Sequence, residues 1–137
     1  MVGEGQRGRP VNAGLEYRRL EKWLVVLIAL HSYAVGFFLL FLTEWGVAFG
    51  GWDNVTTLFF PRQAGIFHLV IATGYLIEYF RYRGVVLMIT AKFTAVVFLF
   101  GMMAVGESSW AVPLSAVGDG LMGGVVLWIH RKAAAQG

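Results

Sequence analysis

The chain has no cysteine, and charge is scarce: Asp, Glu, Lys and Arg make up 14% of its 137 residues. Without cysteine there can be no disulfide, thiolate nucleophile, Cys-ligated zinc or iron–sulfur cluster. Soluble domains average about 25% charged and about 45–50% apolar residues, whereas 58% of this chain is hydrophobic. Walker A, HExxH and GxSxG patterns are all missing, which removes the common P-loop, metalloprotease and serine-hydrolase signatures. Nothing in the sequence points to nucleic-acid binding. The two-residue alternation of barrel strands is also absent. What remains is a chain the length of one small domain, composed for lipid rather than water.

Helices satisfy their own backbone hydrogen bonds and are therefore the spanning element left. A membrane helix needs about 20 mostly apolar residues, and four segments qualify. Residues 23–43 read WLVVLIALHSYAVGFFLLFLT and residues 64–80 read AGIFHLVIATGYLIEYF. Residues 85–105 read VVLMITAKFTAVVFLFGMMAV and residues 111–129 read AVPLSAVGDGLMGGVVLWI. The expected fold is all-α, a four-helix transmembrane bundle running up-down-up-down. Residues 1–20 read as a polar cytoplasmic tail, residues 21–132 as the transmembrane domain and residues 133–137 as a short C-terminal tail. The first apolar run exceeds the length of a signal-peptide core, about 7–15 residues, and no A-x-A-like site follows it. The turn at Arg83-Gly84 is so short that the second and third spans must be antiparallel neighbours.

Charge orients the bundle. Of the eleven basic residues, Arg7, Arg9, Arg18, Arg19 and Lys22 precede the first span, Arg81 and Arg83 separate the second from the third, and Arg131 and Lys132 follow the fourth. The opposite connections hold Arg62, Glu44, Asp53 and Glu107. Basic loops stay in the cytoplasm, so both termini are expected there, across the inner membrane if the source is a bacterium. The basic N-terminal region also suits anionic lipid headgroups.

Ionisable groups inside spans are rare and normally face the bundle interior. Here they are His31, His68, Glu78, Lys92 and Asp119. At about 1.5 Å per residue, Lys92 lies roughly 10 Å, Asp119 roughly 15 Å, His31 roughly 12 Å and Tyr75 roughly 8 Å from the cytoplasmic ends of their spans. These four form an expected polar layer in the inner half of the membrane. Lys92 and Asp119 are expected to pair between the last two spans, because an unpaired charge in hydrocarbon costs several kcal/mol. The small residues around Asp119, in AVGDGLMGG, would let the lysine stem approach, and Gly120 with Gly124 forms a G-x-x-x-G. Two readings stay open: a packing and register device, or a site lined by His31, Tyr75, Lys92 and Asp119 for a quinone, another ligand or a proton. His31 and His68 differ by roughly 6 Å in depth, which argues against a haem bridging them. Glu78 is expected to pair with an arginine, and His130 to sit at the membrane boundary. No catalytic or metal-ligating set emerges.

The size, the long loop after the first span and the run FFPRQAGIFHLVIATGYLIEYFRYRG together resemble the DoxX-like group of small four-helix membrane proteins. The resemblance covers nearly the whole chain at the level of layout. It implies a link to membrane redox chemistry and quinone reduction, and transfers no catalytic residue. The expectation from the sequence is a structural or accessory subunit of a larger membrane complex, with lipids and other membrane subunits, or further copies of itself, as partners. The alternative is a quinone- or small-lipid-binding redox protein.

Overall fold

The computed structural model describes residues 11–135. Among them are five helices and no strand: α1 (Val11–Phe41), α2 (Thr43–Phe49), α3 (Phe59–Tyr82), α4 (Val86–Ala104) and α5 (Ala111–Ala135). Three of these, over Gly14–Phe41, Val86–Ala104 and Ala111–Ala135, are long and apolar enough to cross a membrane. At 24 residues α3 has the length, but Arg62, Glu78 and Arg81 make it more polar.

The first helix begins well before its apolar stretch. Residues 11–20, assigned from sequence to a polar tail, are its opening turns; residues 1–10 of that tail, with Arg7 and Arg9, lie outside the described residues. Leu, Glu and Arg in this segment are good helix formers, and Tyr17 packs edge-on against Trp128 of α5 at 6.3 Å between ring centres. At its other end α1 bends at Leu42 (φ −117°, ψ 46°). The carbonyl of Phe38 still accepts from Leu42 N–H, and that of Leu42 from Gly46 N–H, so the chain runs directly into α2, an element the sequence reading did not anticipate. Pro61 falls in the first turn of α3, where its missing N–H has no partner to lose.

Neighbouring helices run in opposite directions. Low numbers in α1 meet high numbers in α3: Tyr79 Oη donates to the Arg18 carbonyl (3.4 Å), Tyr33 and Thr73 share a hydroxyl hydrogen bond (2.7 Å), and Gly36 faces Gly65. A Cβ on Gly36 would come within 2.8 Å of the Gly65 carbonyl oxygen, and one on Gly65 within 2.9 Å of the Gly36 oxygen. Only glycine allows that approach. α4 and α5 are likewise antiparallel, with Lys92 against Asp119 and Gly123.

One end of the molecule, the basic end, gathers the start of α1, the α3–α4 turn and the end of α5. The other, the loop end, is tied by Trp110 Nε1 donating to the Phe49 carbonyl (2.7 Å) and by Ala111 N–H donating to Gly50 (3.3 Å). The apolar core, Val25, Ile28, Tyr75, Tyr79, Val85, Met88 and Val126, sits toward the basic end and draws on α1, α3, α4 and α5.

Candidate functional site

Lys92 is two turns into α4 and turns toward α5, where it is 5% exposed. Its Nζ donates to Asp119 Oδ1 at 2.6 Å. Beside the pair stands Gly123, whose missing side chain matters: a Cβ there would lie 3.2 Å from Lys92 Cβ. The lysine stem therefore lies against the bare α5 backbone and delivers its ammonium to the carboxylate one turn away. Breaking such a pair from one side strands a buried charge, at a cost of about 3–5 kcal/mol. The other Asp119 oxygen and the remaining ammonium protons make no further hydrogen bond among the described residues.

The other expected members of the layer are placed differently. Tyr75 is 3% exposed and belongs to the apolar core. The His31 side chain is on an exposed face of α1. His68 Nδ1 is fully buried and has no hydrogen-bond partner among the described residues. Among those residues no group of three or more His, Asp or Glu side chains gathers as a metal site.

The glycines of α5 do less than their pattern implies. Besides Gly123, Gly120 has a neighbour in ordinary contact, Val96 at 3.7 Å from a Cβ, whereas Gly118 and Gly124 face nothing within 4 Å. Of the G-x-x-x-G strip, only Gly120 touches α4, loosely, and Gly124 meets no neighbouring helix. The reason is rotational: Gly123 faces α4, and Gly118 and Gly124 lie on strips turned away from it.

Among the described residues, Glu78 does not pair with an arginine. Its two carboxylate oxygens accept from Val86 N–H (3.0 Å) and Leu87 N–H (2.9 Å), so it caps α4 and satisfies two of the donors a helix start leaves free. Gly84 makes room, since a Cβ there would lie 2.9 Å from Glu78 Oε1. A buried acid on α1 is not evident from the sequence. Glu21 is 5% exposed, and its Oε1 lies 2.6 Å from His130 Nδ1, joining α1 to α5 at the basic end. The signal was present, because both residues stand at the same end of their spans, but Glu21 was hidden among the basic residues that precede the first span. At the loop end the Ser109 hydroxyl and N–H both donate to Glu107, which holds its carboxyl below the usual range.

Among the described residues, cavities indent the surface at the basic end, along α3 beside Leu40, around the loop that follows α2 and at the α1–α2 bend, and neither Lys92 nor Asp119 lines any of these. No family model, curated protein or solved structure matched the chain.

Proposed function

We propose that the protein is a four-helix antiparallel transmembrane bundle, with α3 as its fourth span, that serves as a structural or accessory subunit of a larger membrane complex. The observation that carries this reading is the Lys92–Asp119 pair closed on itself between two packed helices. The most costly polar groups in the chain are spent on each other, and their best-attested use is to set packing and register. Opposite helix directions, the concentration of Arg and Lys at one end and an exterior rich in exposed Leu, Val and Phe support insertion with both termini cytoplasmic. The connections described, residues 50–58, 83–85 and 105–110, are too short to fold into a catalytic unit. Purification of the protein from its native membrane in mild detergent tests the proposal. A reproducible set of co-purifying membrane subunits is expected, and recovery solely as a lone monomer would overturn it.

A second reading, a quinone- or small-lipid-binding redox protein of DoxX-like type, draws on one observation: the buried Nδ1 of His68, which has no hydrogen-bond partner among the described residues. A buried donor or acceptor without a partner costs about 1–3 kcal/mol, and a ligand oxygen would relieve it. On this reading wild-type protein carries an extractable quinone, and replacing Lys92 and Asp119 together removes it. Quinone-free protein from a quinone-containing membrane counts against it.

A further inference from the structure

The basic end contains a cavity of about 290 Å³ lined by Arg18, Glu21 and Lys22 of α1, Tyr79 of α3, Arg83 of the α3–α4 turn and His130 of α5. Its size is at the lower edge of small-molecule sites, which run about 300–1,000 Å³, and fits a headgroup rather than a nucleotide. Its charge is unbalanced. The one acid, Glu21, is engaged with His130. Arg18, Lys22 and Arg83 form no ion pair among the described residues; Lys22 rests its ammonium 5.9 Å from the centre of the Phe80 ring. Three cations from two separate chain segments are thus held around one hollow.

The backbone supplies an independent pointer. Arg83 ends α3 in the left-handed region (φ 56°, ψ 26°), a conformation normally left to glycine because an L-residue's Cβ crowds its own carbonyl there. A glycine at this position would make the turn without that crowding. A strained non-glycine residue that lines a cavity is the kind of outlier that marks a binding site. Tyr79, 4% exposed, donates its hydroxyl to the Arg18 carbonyl and so ties the α1 side of the hollow to the α3 side.

We propose that this cavity binds a phosphate-bearing anion through Arg18, Lys22 and Arg83. Guanidinium groups suit phosphate because their planar donors engage its oxygens two at a time. If the basic end is cytoplasmic, as the proposed topology has it, the cavity opens at the depth of anionic lipid headgroups; a free phosphate offers the same chemistry.

The test uses the full chain in nanodiscs of zwitterionic phosphatidylcholine, with two probes. Phosphatidylglycerol doped into the discs is followed by native mass spectrometry, and inorganic phosphate is followed by calorimetry. Arg83→Gly removes the charge yet suits the left-handed turn, so it retains the fold, checked by circular dichroism. Lys132→Gln removes a cation at the same end that does not line the cavity. Arg83→Gly is expected to weaken binding about tenfold or more, while Lys132→Gln leaves it near wild type. Loss of phosphatidylglycerol retention identifies a lipid headgroup site, and loss of phosphate binding identifies a free-anion site. Failure of the wild type to bind either probe, or equal effects of the two substitutions, would overturn the proposal. Failure to enter nanodiscs would instead overturn the transmembrane reading, and the phosphate arm would still decide the site in detergent-free solution.

Discussion

The two most extensive helix seams close by opposite means. Between α1 and α3, two glycines bring backbones together, with a hydroxyl pair alongside. Between α4 and α5, an ion pair bridges the gap and a single glycine admits the lysine stem. The first seam depends on what is missing, and any added carbon must displace backbone. The second depends on two groups that are tolerable only together. Where hydrophobic drive is weak, close packing and polar pairing both hold helices together; the α1–α3 seam relies mainly on the first, with the Tyr33–Thr73 hydrogen bond alongside, and the α4–α5 seam on the second.

The contrast is broken most severely on the polar side. Asp119→Leu alone leaves the Lys92 ammonium buried without its partner and is expected to destabilise the protein by about 3–5 kcal/mol, read from thermal unfolding in detergent micelles. On the glycine side, Gly65→Val drives a side chain into the Gly36 carbonyl and the Leu40 amide; overpacking of this kind costs about 1–3 kcal/mol in the same assay. The cap on α4 is smaller still. Glu78→Ala frees the Val86 and Leu87 amides and is expected to cost about 0.5–2 kcal/mol, with Gln recovering part of it.

The loud half of this contrast was legible in the sequence, the quiet half was not. Lys92 and Asp119 stand out because charge in an apolar run is rare, and the rise per residue was enough to bring them to compatible depths. Gly36 and Gly65 are isolated glycines on different spans, and no spacing rule links them. Conversely, G-x-x-x-G at Gly120 and Gly124 looked like a contact surface, but helix rotation decides which strip meets a neighbour, and only Gly123 and, more loosely, Gly120 do. Of the residues expected in the polar layer, Tyr75 lies in the core and His31 on an exposed face, because facing depends on that same rotation, which depth along a span does not give. Glu78 was read as an ion-pair partner because the helix start it caps is created by the turn, not by its own helix.

The reverse experiment at an idle glycine sharpens the point. Gly124→Ala meets nothing within 4 Å and is expected to stabilise α5 by about 0.5–1 kcal/mol, the usual gain of Ala over Gly in a helix interior. The smallest effect is at the loop end. Because hydrogen bonds from Ser109 lower the Glu107 pKa from its ordinary 4.5, their contribution is fully present above that value and is lost as pH falls through the folded-state value. Amide exchange across residues 105–110 should quicken on acidification in the wild type and show little such change in Glu107→Gln.

The central claim is that Lys92 and Asp119 act as a clamp, each needed because the other is there. It is tested most directly by a double-mutant cycle: Lys92→Met, Asp119→Leu and the two combined, each unfolded thermally in the same detergent. The account predicts that the combined variant recovers most of the stability lost by either single one and assembles as the wild type does. Losses that simply add, or a combined variant that folds normally but loses a bound quinone, would contradict it.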